Sequence, residues 1–325
     1  MALQRGEPWF DDGNVVLATS AEGIAFRVHR GVMARYSSRC FWSLSRQRSL
    51  SKLSITVKWF GCGMLPAELA NLIVALYDGV KFHNACLEDW FHLAGILRLS
   101  TKYFVNKLRI QAIEYLAQTW ANTLAGHDHM VEAALRTPPV DGLTYPWVHP
   151  LHVLNLAREV NVRVVIPSVI YFLSLYQLED ILRADHPKLN KIDHPSRPSS
   201  TFSPHDIKDY TLMFQKRLEV ILHFVRTFCG TRTPTAKCQS TEACSRGFAR
   251  LASRLGRSWI SRTGPLHYMS QAVGDLADKA EVCKLCQRAF GDDVAALREQ
   301  TWNELPSVIG MPSWDELVAI DLHGG

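Results

Sequence analysis

The stretch from Asp12 to His29 admits few folds. Asp12-Gly13-Asn14 is a turn that runs into the apolar strip Val15-Val16-Leu17, and Thr19 to Gly23 form a second polar turn before the chain returns. In the return, Ile24, Phe26 and Val28 alternate with Ala25, Arg27 and His29, the period of two shown by a strand with one face buried and the other wet. Val32, Met33 and Tyr36 then take up the spacing of a short helix laid on that hairpin. A hairpin cannot cover its own apolar face, so the segments that follow must do it.

Those segments read as helices. Leu65, Leu69, Leu72, Ile73, Leu76 and Tyr77 recur at helical spacing behind Pro66, which suits a first turn, and Gly79 stands just past the end. Trp90, Leu93, Ala94 and Leu97 predict a second helix, and Leu108, Ala112, Tyr115 and Leu116 a third. Phe26-Arg27-Val28-His29 and Leu76-Tyr77-Asp78-Gly79 stand where the BTB/POZ family has Phe-x-x-His and Leu-x-Tyr-x-Gly, and the order of elements over residues 9–118 resembles that family. Trp9-Phe10-Asp11-Asp12-Gly13-Asn14-Val15 and Ala75-Leu76-Tyr77-Asp78-Gly79-Val80 are most similar to a large BTB group of mushroom-forming fungi.

The resemblance implies an α+β fold, a small sheet flanked by helices, followed here by a mostly α-helical C-terminal region. It also implies a protein-interaction role, since BTB domains dimerise, bind cullin-type ubiquitin-ligase scaffolds or recruit transcriptional partners. Asn14, His29, Met33 and Tyr77 occupy BTB-like positions and are the expected interaction residues. Two of these depart from the family pattern. Asn14 replaces an aspartate that helps build a charged pocket at the dimer face, and Met33 replaces a leucine. The aromatic of Ser37-Ser38-Arg39-Cys40-Phe41 has also slipped by one position. Leu53 to Val57 has strand character, whereas Trp59-Phe60-Gly61-Cys62-Gly63 has no counterpart in the family.

At 325 residues, 47% hydrophobic and 21% charged, the chain has a globular composition with room for two units. Residues 119–193 are expected to form a helical extension of the BTB-like part, loop-rich from Thr119 to Val148 because of Pro138-Pro139, Gly142 and Pro146. The helical pattern resumes at His149-Pro150. Residues 194–204, rich in proline and serine, read as a linker to a helical region over 205–325. That region opens with Ser203 as cap, Pro204 at the first position, and a stripe of Ile207, Tyr210, Phe214, Leu218, Ile221 and Val225 ending before Gly230. The apolar run Val164 to Leu175 is too short to span a bilayer, and no secretory signal pattern opens the chain, so a cytoplasmic or nuclear protein without membrane contact is expected.

Eight cysteines in such a compartment are thiols or metal ligands rather than disulfides. Cys238 and Cys244, with five residues between them, precede Cys283-Lys284-Leu285-Cys286, and two such pairs complete a closed tetrahedral zinc site of the structural type. The plain alternative is a pair of buried thiols on one helix face. Arg246, Arg250, Arg254 and Arg257 line one face of a helix, either a solvated face or a stripe that follows phosphates. His127-Asp128-His129 reads as a surface loop. No P-loop, G-x-G-x-x-G, G-x-S-x-G or His-Glu-x-x-His motif occurs, which lowers the prior for an enzyme. The expectation is therefore a non-enzymatic adaptor or scaffold acting on protein partners or on a second copy. The alternative is a nucleic-acid-associated regulator whose C-terminal region is stabilised by zinc.

Overall fold

The computed structural model describes residues 3–19, 22–36, 46–49, 56–60, 64–190, 192–277 and 282–323. Its hairpin is β2 (Val15–Thr19) and β3 (Ile24–Val28), paired antiparallel with Val15 opposite Val28 and Leu17 opposite Phe26. β1 (Gln4–Arg5) runs parallel to β3, β5 (Thr56–Phe60) parallel to β2, and β4 (Arg46–Ser49) antiparallel to β5, giving the order β1-β3-β2-β5-β4. Of the strand expected over Leu53 to Val57, Thr56 and Val57 lie in β5, while Leu53, Ser54, Ile55, Ser37 to Phe41 and Gly61 to Gly63 lie outside the described residues.

Val15, Leu17, Phe26 and Val28 are buried on one sheet face, with Ile24 partly buried beside them. The other face is not simply wet. Val16, Ala18 and Ala25 are buried there with Trp9 against them, because the N-terminal segment follows β3 with Gly6 N–H on Ala25 O and Phe10 N–H on Arg27 O. Gly6 permits this approach, since a Cβ there would lie 2.7 Å from Ile24 Cγ2 and 2.8 Å from Phe26.

Helices cover the first face. α1 (Arg30–Tyr36) inserts Met33 into the core, and its first amide, Arg30 N–H, is capped by Asn14 Oδ1. α2 (Pro66–Asp78) ends at Gly79, whose φ of 84° only glycine adopts freely. α3 (Leu87–Lys102) and α4 (Asn106–Thr119) follow and pack with α2 into the same core. Where a loop was expected, α5 (Leu124–Arg136) is a regular helix capped by the Thr123 hydroxyl, which accepts from Gly126 N–H. Pro138 and Pro139 end that helix rather than forbid it. α6 (Pro150–Glu159), α7 (Ile166–Leu173), α8 (Leu178–Arg183) and α9 (Pro187–Asn190) complete the middle of the chain.

Residues 194–204 are held along their length. His194 stacks on Phe91 at 3.9 Å, Arg98 donates to Ser196 O, and Asn155 donates to Ser199 O and Thr201 O. α10 (Pro204–Leu222) then begins with the Ser203 cap and passes into a π-helical turn at His223–Cys229 before Gly230. The stripe it buries is rotated from the expected one: Asp206, Asp209, Tyr210, Met213, Arg217 and Ile221 face inward, and Ile207, Phe214 and Leu218 are only partly covered. Polar contacts turn the helix. Arg158 holds Asp206 and Asp209, and Arg217 donates to Ser174 Oγ and to the carbonyls of Ser174, Ser261 and Thr263.

α11 (Thr241–Ser258), α12 (Pro265–Ala277) and α13 (Lys284–Val308) build a second core with the end of α10, around Phe224, Phe248, Leu251, Met269 and Phe290. α13 continues past it, so that Trp302 and Leu305 join the first core together with Trp314 and Leu317 of α14 (Trp314–Leu322). Asp321 secures the return by accepting from the Arg163 and Val164 amides. Among the described residues no helix is long and apolar enough to cross a membrane.

Candidate metal centre and interaction positions

The two cysteine pairs come together although 38 residues separate them in sequence. The α11–α12 pair folds back so that the start of α13 meets the start of α11, and the four Sγ atoms of Cys238, Cys244, Cys283 and Cys286 lie within 4.8 Å of one another. Cys238 Sγ and Cys283 Sγ are 3.8 Å apart. A tetrahedron with metal–sulfur bonds of about 2.3 Å has edges of about 3.8 Å, so the arrangement is compatible with a metal at its centre. Cys244 and Cys286 are fully buried and belong to the second core, while Cys238 and Cys283 form its outer side.

Backbone amides point at the sulfurs. Thr235 N–H donates to Cys286 Sγ at 3.4 Å, Ser240 N–H to Cys238 Sγ at 3.4 Å and Cys283 N–H to Cys244 Sγ at 3.2 Å. Such donors favour thiolates, and orient them. Cys283 sits at the N-cap of α13, and hydrogen bonding from the Cys286 backbone brings its thiol down to about 6. Burial pushes Cys244 up to about 12 and raises Cys286. Without a counter-charge the inner pair stays protonated, and a bound dication reverses that preference. Thr235 and Ser240 were not among the expected site residues; a hydroxyl residue two positions after Cys238 and a Thr three before it were the available signals.

The interaction positions divide. His29 and Tyr77 meet where β3 ends against α2: His29 N–H donates to Tyr77 Oη at 2.9 Å, and His29 Nδ1 lies 2.8 Å from the same oxygen. Phe10 stacks on Tyr77 at 4.3 Å, and Asp12 pairs with His29 Nε2 at 3.0 Å, two contacts that no sequence pattern announced. The hydrogen bond from His29 lowers the Asp12 carboxyl below its ordinary range. Burial raises the Tyr77 phenol. Asn14 is spent on capping Arg30. Met33 cannot touch a partner, because it is completely buried as a core side chain under the hairpin.

The arginine face of α11 is largely exposed, with Arg254 half-buried and Phe248, Leu251 and Leu255 buried opposite. It is partly neutralised within the fold. Arg246 lies 3.6 Å from Glu242, and Arg254 lies 2.9 Å from Asp275. His127-Asp128-His129 is not a loop: it lies in α5, where His127 is 1% exposed among Tyr171, Phe172 and Trp302, and Asp128 pairs with Arg298.

Comparison with protein-family models, curated proteins and solved structures finds no match.

Proposed function

We propose that the chain is a non-enzymatic interaction protein, with a BTB-type N-terminal unit that presents its surface to a protein partner or a second copy. A C-terminal helical unit is closed by a structural zinc ion. The observation that carries the first part is the junction at His29. The two motifs of the resemblance are 48 residues apart in sequence, and their His and Tyr are joined by two hydrogen bonds at the hairpin's end. Support comes also from the parallel β2–β5 pair and from helices α2 to α4 on the Phe26 face.

Four cysteine ligands fill a zinc ion's tetrahedral sites and leave no position for substrate, which is the structural type. Cys244 and Cys286 would anchor it from the core, Cys238 and Cys283 from outside. Zinc supplies the cross-link that joins α11 to α13.

The test is light scattering and affinity capture with the full chain and with its Asp12→Lys/Asp78→Lys double mutant, both carboxylates being more than half exposed. The reading expects a dimer mass or a retained protein that the double mutant loses with its melting curve unchanged. A monomeric wild type that captures the same proteins as the double mutant, or none, contradicts it.

A further inference from the structure

Between α5 and the turn after α7 lies a cavity of about 360 Å³ that neither the cysteine cluster nor the hairpin junction uses. This is within the range of sites that take small organic molecules. Its walls come from distant parts of the chain, among them Trp120 and Phe172, whose rings meet edge-on, with Ala134, Tyr176 and Gly264. Gly264 keeps one wall thin: a Cβ there would lie 3.3 Å from Tyr171 Oη and 3.7 Å from Leu175.

The polar groups of this cavity are unequal in sign. Arg262 and His267 line it, and no Asp or Glu does. The two carboxylates of α5, Asp128 and Glu132, pair with Arg298 and Arg136, and Arg262 fixes its Nε on Leu175 O at 3.2 Å. His127 also lines the cavity, almost wholly buried, and neither of its ring nitrogens has a hydrogen-bond partner. An imidazole left unpaired in a core is a cost that packing alone does not explain.

We propose that this cavity binds a small aromatic carboxylate, its apolar body against Val131, Ala134, Phe172 and Tyr176 and its charge toward Arg262. The aromatic walls select a flat apolar body, and a rim with a cation and no acid selects an anion over a cation.

The test uses the full chain as purified, titrated by calorimetry with 2-naphthoate and with 2-naphthylmethylamine. The expected result is one saturable naphthoate site per chain, at least about tenfold tighter than for the amine. Ala134→Trp fills the cavity and removes binding. Leu135→Glu sets a carboxylate at the mouth, at a side chain 70% exposed, so it leaves the fold intact and weakens naphthoate binding at least about fivefold. Arg262→Gln weakens it in the same way. No saturable naphthoate binding to folded wild type, equal affinity for acid and amine, or unchanged affinity in both Leu135→Glu and Arg262→Gln overturns the proposal.

Discussion

Tyr77→Phe removes one oxygen and leaves the ring. The Phe10 stack at 4.3 Å survives, but His29 N–H and Nδ1 lose the oxygen that lies 2.9 and 2.8 Å away. A buried donor left without a partner costs about 1–3 kcal/mol, and the junction is half-buried, so about 1.5 kcal/mol is the working figure. Unfolding entropy is about 2.1 cal/mol/K per residue. If residues 9–118 melt as their own unit, that is about 0.23 kcal/mol/K, and the midpoint falls by about 6 °C. If all 325 residues melt together, the fall is about 2 °C. Scanning calorimetry of both proteins separates the two cases. Asp12→Asn is the control: its carboxylate is 84% exposed and its loss leaves the midpoint near wild type. A Tyr77→Phe midpoint within 1 °C of wild type would refute the claim that this oxygen ties β3 to α2.

Acid should weaken the fold. Burial lowers His127 and His152 to about 4 and His149 to about 2, against 6.5 in the unfolded chain. Their folded values lie below the unfolded one, so this stability is complete above 6.5 and is lost as the pH falls toward 4. At pH 5.5 the three together remove about 4 kcal/mol, and equal urea midpoints at pH 7.5 and 5.5 would contradict this linkage. Phe26→Ala empties a side chain that is 2% exposed and should cost about 3–5 kcal/mol by urea titration; a cost below 1 kcal/mol would place Phe26 outside the core. Arg217→Met strips donors from the carbonyls of Ser174, Ser261 and Thr263 and should cost about 3 kcal/mol, with a neutral result contradicting the clasp.

What the sequence made legible was local. Pro66 and Gly79 bracket α2, and Ser203 and Pro204 open α10, because caps and breakers act within one turn. α5 was hidden by the prolines after it, although Thr123 and the spacing of Leu124, His127, Met130 and Val131 marked a capped helix whose inward residue is a histidine. The rotated face of α10 was illegible, because what turns it is Arg217 reaching carbonyls 43 to 46 residues away. Residues 194–204 show the same limit. A proline- and serine-rich stretch reads as a tether, yet Arg98 and Asn155 hold its carbonyls from the helices. The cysteines could be paired by spacing within each half, but their meeting depends on how α11 and α12 fold back, which no local pattern encodes. Burial of Lys188, whose ammonium donates to Pro146 O, left no sequence signal.

The claim that the chain's clustered thiols build structure rather than perform catalysis is tested most directly by elemental analysis of the purified full chain. The account predicts one zinc per chain, lost in Cys286→Ser together with the helicity of the second core. Less than about a tenth of an equivalent of zinc in correctly folded protein would contradict it.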